Sequence, residues 1–173
     1  MSIAPVRLSR TESAVEPAVP DIAGLVALAR AYAEDPASWT VRPRFEPSRR
    51  WYARLAEASG HEAWLLTWMP GQETDLHDHG GSAGAFVVVR GALTEATVQP
   101  LANGRGHRRV PRGLAAGTVR AFGSNHIHHI RNEGPAPAIS VHVYAPALHS
   151  MTRYRLAGRR LAVESVSSAG KDW

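Results

Sequence analysis

His77 and His79 stand one residue apart in the stretch "LHDHGGSAGAFVVVRGALTE". In a strand, residues i and i+2 point to the same face, so this spacing turns two imidazoles toward one point. Neutral imidazoles brought together in this way are ligands for a divalent metal. A second stretch, "GTVRAFGSNHIHHIRN", adds His126, His128 and His129. His126 and His128 share one face of such a segment and His129 takes the other. Alternation alone leaves open which of them completes a metal site. His61, His107 and His149 each stand alone and read as structural or surface histidines.

Two further stretches carry polar groups in patterns that chemistry could use. In "AISVHVYAP", Ser140, His142 and Tyr144 fall on one face of a strand while Val141 and Val143 take the other. Taken singly, Tyr144 also fits a core tyrosine whose hydroxyl finds any partner. In "WYARL", Arg54 equally fits a surface arginine on a strand.

These side chains need a scaffold. Residues 1–20 contain Pro, Ser and Glu without periodicity and are expected to form a loose arm. "PDIAGLVALARAYAED" predicts a helix over about residues 21–35. Asp21 is a ready cap, and Ile22, Leu25, Val26, Leu28 and Ala29 form an apolar stripe. The helical lead-in is expected over about 21–45. From Trp51 onward, short apolar and β-branched runs alternate with Gly and Pro punctuation, which predicts an all-β barrel or sandwich over about 48–167. Residues 21–173 are therefore expected to form a single domain.

Composition narrows the function classes. The chain has 173 residues and no cysteine, so disulfides, thiolate metal sites and a cysteine nucleophile are excluded. The formal charge is +5, and Lys171 is the only lysine. The arginines are scattered and lack a nucleic-acid-binding motif, so no nucleic-acid partner is expected. No apolar run approaches the length of a membrane span, and the first twenty residues lack the apolar core of a signal peptide. A cytoplasmic monomer without membrane contact is expected.

The motifs resemble those of the cupins. Gly71, His77, His79 and Gly91 fall at the spacing of the first cupin motif, with Gly84 where many cupins have a ligating glutamate. Gly117, His128 and Asn132 fall at the spacing of the second, with Gly123 and Asn125 in place of its usual turn residues. The resemblance implies a single jelly-roll-like cupin barrel and selects His128 as the third ligand. Over about residues 48–156 the chain is further similar to the cysteine dioxygenase family of thiol dioxygenases, through "WYARL", "HDHGGSAGAFVVVRGALTE" and "IHHIRNEGPAPAISVHVYAPAL".

That resemblance implies Fe(II) on His77, His79 and His128, with no organic cofactor. It implies substrate binding by Arg54 and Tyr52, the arginine taking the substrate carboxylate, and a catalytic trio of Ser140, His142 and Tyr144. The implied reaction is oxidation of the thiol of L-cysteine to cysteine sulfinate by dioxygen. Animal members carry a cysteine at the position of Gly84 that crosslinks to the active-site tyrosine; Gly84 implies an uncrosslinked Tyr144. Two other readings fit the same residues: a dioxygenase acting on 3-mercaptopropionate or another small thiol, and a non-enzymatic metal cupin that senses a small ligand.

Overall fold

The computed structural model describes residues 19–58 and 60–168. The arm expected over residues 1–20 thus lies, up to residue 18, outside the described residues. One helix, α1 (Ile22–Glu34), precedes eleven strands: β1 (Trp51–Ala58), β2 (His61–Trp68), β3 (Leu76–His77), β4 (Ala83–Arg90), β5 (Ala92–Pro100) and β6 (His107–Ala115), then β7 (Val119–Phe122), β8 (His128–Arg131), β9 (Ala138–Ala145), β10 (Ser150–Ala157) and β11 (Arg160–Ser168). They form two antiparallel sheets, ordered β1-β2-β9-β4-β7 and β11-β10-β3-β8-β5-β6. The architecture is the expected all-β jelly roll, built as a sandwich of two sheets.

The core between the sheets explains the strand patterns. Trp68 and Phe86 from the first sheet meet Leu93, Leu114 and Ile130 from the second, all essentially buried. Each such side chain contributes about 1.5–3 kcal/mol by leaving water. β9 is buried along its whole length, so both of its faces are covered. One face carries Ser140, His142 and Tyr144. Val143 on the other packs with Leu25 and Ala29 of α1 and with Ala63 and Ala85.

That contact places the helix on the outer face of the first sheet. Asp21 caps it by accepting from the Gly24 amide at 2.8 Å. Ile22, expected in the apolar stripe, is 42% exposed at the first turn. The helix ends at Glu34 because Asp35 precedes Pro36 and is pushed to extended angles (φ −120°, ψ 74°). Past a short 3-10 turn at Pro36–Ser38 there is no helix in the lead-in. Among the described residues no helix is long and apolar enough to cross a membrane.

Candidate metal centre

His77, His79 and His128 meet although they come from separate parts of the chain. β3 and β8 pair with His77 directly opposite His128. His79 follows just past β3, before a turn at Gly80 and Gly81. Gly80 has φ +58°, and a Cβ there would lie 2.5 Å from the Ser150 carbonyl oxygen, so only glycine turns the chain at this point. The ring centroids are 5.0 Å apart for His77–His79, 4.8 Å for His77–His128 and 5.0 Å for His79–His128. One nitrogen from each ring lies within 4.8 Å of the others.

The protonation states suit a cation. Burial, and then the neighbouring His128, pushes His77 and His79 well below the ordinary imidazole range. Burial also lowers His128, with Glu95 opposing. All three rings are therefore neutral, as a metal requires. His77 Nδ1 lies 2.8 Å from the Asp75 carbonyl oxygen, which can only accept, so Nδ1 carries the hydrogen and Nε2 the lone pair. His128 Nδ1 donates to Glu95 Oε1 at 2.9 Å, again leaving Nε2 as the bare nitrogen. Both nitrogens of His79 are buried without a hydrogen-bond partner. Such orphaned groups are costly unless something binds them. An orphaned ring facing two nitrogen lone pairs fits a divalent transition metal on three imidazoles.

No fourth ligand comes from position 84. Gly84 pairs with Tyr144 on one side and Phe122 on the other. A Cβ there would sit 2.5 Å from Phe122 Cζ and 3.0 Å from Tyr144 Cδ1. The Phe122 ring fills this space and stacks on His79, with centroids 4.8 Å apart and planes at 22°.

A cavity of about 270 Å³ opens beside the triad, bounded by His77, His128, His142, Tyr144, Trp68 and Arg50. On its wall a hydrogen-bonded series crosses the first sheet. Trp68 Nε1 donates to Ser140 Oγ at 2.9 Å, Ser140 Oγ lies 2.8 Å from His142 Nε2, and His142 Nδ1 lies 3.2 Å from the Tyr144 hydroxyl. Burial, then His128 and Arg50, pushes His142 down to about 3, so it is neutral. Burial, then Glu62, raises Tyr144 above the ordinary phenol range, so it stays protonated.

Arg50, just before β1, contributes one guanidinium of this cavity. It lies 5.2 Å over the Trp68 ring. Burial lowers its pKa while Tyr144 and Asp75 oppose, and a guanidinium keeps its charge throughout. Arg153 reaches the cavity from β10, with Nε 3.1 Å from Asp75 Oδ2.

The structure does not bring the expected substrate-binding pair to this cavity. Arg54 is half-exposed, pairs with Glu57 at 2.7 Å and lies over Trp64 at 5.8 Å, away from the cavity lining. Tyr52 packs edge-on against Trp64 with centroids 6.1 Å apart and also lies outside the lining. Residues 50, 52 and 54 share the parity of one strand face, but four residues span about 13 Å along a strand. Only the first of them reaches the triad.

The other histidines of the second stretch also find places. His129 faces outward and pairs with Glu73 at 3.0 Å. His126 Nε2 lies 3.0 Å from Glu95 Oε1. Asn132 binds the Trp68 and Ala136 carbonyls and the Gly134 amide, a loop-holding role. Sequence reasoning missed Arg50, Trp68, Phe122 and Glu95. A signal for Glu95 was present: it shares strand parity with the buried Leu93, so it is a charge on a core-facing position.

The sequence model of the family described as cysteine dioxygenase type I matches residues 7–157. No curated protein matches the chain. Among solved structures, the TT1209 protein of Thermus thermophilus is 23% identical, covering 61% of this chain and 90% of its own, with a TM-score of 0.50. A sugar phosphate isomerase from a cupin superfamily, from Silicibacter pomeroyi, is 18% identical over 72% of this chain and 80% of its own, TM-score 0.50. A recombinant oxalate oxidase in complex with glycolate is 17% identical over 62% of this chain and 57% of its own, TM-score 0.51. At such identities the likeness is one of fold, and that fold is the cupin fold.

Proposed function

The chain belongs to the cysteine dioxygenase type I family, and on that premise we propose that it oxidises the thiol of L-cysteine to cysteine sulfinate with dioxygen on ferrous iron. The observation that carries this reading is that two imidazoles of the triad, His77 and His128, line one small cavity together with the Arg50 guanidinium. A triad that binds metal needs no positive side chain beside it; a substrate with both a sulfur ligand and a carboxylate does.

His77, His79 and His128 would hold the iron through one nitrogen each. Bound there, Fe(II) would supply open coordination positions and pass electrons from the thiolate sulfur to dioxygen. Arg50 pairs with the substrate carboxylate and fixes the sulfur at the triad, a proximity effect. Trp68 supports the guanidinium from behind by cation–π contact. Tyr144 offers its hydroxyl to the reacting groups, held by His142 and Ser140. The reaction balances as thiol plus O2 giving sulfinate and a proton; both oxygen atoms go to sulfur. On this reading the protein works as a monomer in the cytoplasm and takes small thiols.

The test is anaerobic reconstitution with one equivalent of Fe(II), followed by oxygen uptake on adding L-cysteine and mass spectrometry of the product. One O2 consumed per cysteine sulfinate formed is expected. Uptake with 3-mercaptopropionate and none with cysteine moves the substrate to that thiol. Metal binding without uptake on any thiol removes the dioxygenase reading.

A further inference from the structure

Glu95 is a carboxylate with no exposure to solvent, deep in the second sheet beside the triad. Its Oε1 accepts from His128 Nδ1 at 2.9 Å and from His126 Nε2 at 3.0 Å; its Oε2 accepts from Arg120 Nε at 2.6 Å. Three N–H donors, one of them on the permanently charged Arg120 guanidinium, converge on this carboxylate. Burying a charge is expensive, and these three bonds are what make it tolerable.

The three imidazoles of the triad are not equivalent. His77 is backed by a neutral carbonyl, His79 by no hydrogen-bond acceptor, and His128 by an anion. We infer that Glu95 is a positioning residue for the metal: it fixes His128 as the Nδ1–H tautomer, aims its Nε2 at the ion and makes it the strongest donor of the three. The inference rests on the metal-site reading above. It also relates Glu95 to the absent carboxylate ligand. Position 84 carries none, and Glu95 acts one imidazole removed. Arg120 anchors the carboxylate from the other side, so that Oε1 stays turned toward His128. Outer carboxylates of this kind typically change metal affinity about 10–100-fold.

Glu95, His126 and His128 also lie close enough to hold an ion themselves. Their donor atoms, however, are already bonded to one another and to Arg120. The metal therefore belongs on the triad and Glu95 behind it.

The test uses Co(II) as the probe, with its affinity measured by chelator competition and its site by the visible d–d spectrum. The wild-type protein is expected to bind one ion. Glu95→Gln should bind it about 10–100-fold more weakly with a shifted spectrum, and His79→Ala should lose tight binding. Wild-type protein that binds no Co(II) overturns the metal reading and this inference with it. Tight wild-type binding left unchanged by Glu95→Gln overturns the role of Glu95 alone. Binding abolished by Glu95→Gln but kept by His79→Ala makes Glu95 a direct ligand, against the inference. Should Glu95→Gln fail to fold, long-range ¹H–¹⁵N spectra of the wild-type apoprotein decide: His128 protonated on Nδ1 supports the assignment, and protonation on Nε2 overturns it.

Discussion

The indole nitrogen of Trp68 lies 2.9 Å from the hydroxyl oxygen of Ser140 on the neighbouring strand. An indole N–H can only donate, so it takes one lone pair of the Ser140 oxygen and leaves the hydroxyl hydrogen free for His142 Nε2, 2.8 Å away. Neutral His142 then carries its hydrogen on Nδ1 and gives it to the Tyr144 oxygen. The hydroxyl hydrogen of Tyr144 is thereby turned away from His142. In this sense of the series each hydrogen points from Trp68 toward Tyr144. Trp68→Phe keeps a ring beneath Arg50 and removes that donor. A lost neutral hydrogen bond is worth about 0.5–1.5 kcal/mol, hence roughly a 2- to 10-fold fall in kcat with KM nearly unchanged. Steady-state oxygen uptake checks it, and an unaltered kcat would show that the Trp68 donor does not act on turnover.

Arg50 and Arg54 make opposite predictions. Arg50→Gln removes a charged partner of the carboxylate, worth about 1.5–3 kcal/mol per bond, so kcat/KM for cysteine should fall roughly 10- to 150-fold. Arg54→Gln breaks only an exposed pair with Glu57 and should stay within about 2-fold. The reverse ranking in the same assay would return the substrate role to Arg54.

Acid should weaken the apoprotein before any carboxylate titrates. Burial places His77, His79, His128 and His142 below the ordinary imidazole value of 6.5. Below about pH 6.5 the unfolded chain therefore binds more protons than the folded one, and stability falls as pH falls. Each histidine contributes up to about 1.4 kcal/mol per pH unit within that window. Glu95 acts in the same direction but only below the carboxylate range. Urea midpoints of metal-free protein at about pH 7.5 and about pH 5.5 test this; the midpoint should be lower at the acid end. Equal midpoints would mean that these rings already take up protons in the folded state.

Gly84→Ala puts a methyl group where Phe122 stands. Overpacking of this kind costs about 1–3 kcal/mol. Phe122→Leu in the same chain should return part of the loss, because it removes the ring atoms within 2.7 Å of the added carbon. Thermal melts of the two single variants and the double variant read the coupling. Additive losses would place the strain elsewhere.

What the sequence made legible was local. His77 and His79, or Ser140, His142 and Tyr144, are related by strand parity over a few residues, and parity survives folding. Parity does not measure distance along a strand: Arg50 shares it with Arg54, and only the cavity shows which of the two lines it. Glu95 meets His128 across 33 residues and Trp68 meets Ser140 across 72. Such pairs are set by sheet register, which no short motif encodes. The helix was readable from its cap and stripe, but its seat on Ala63, Ala85 and Val143 followed only from the sheet order.

The contact between Gly84 and Phe122 also bears on ancestry. A cysteine at 84, as animal members carry, would meet the phenyl ring that occupies its space in this chain. Nor can Phe122 be trimmed first without opening a void beside His79, on which it stacks. Either first step is a loss, so the two positions are epistatic.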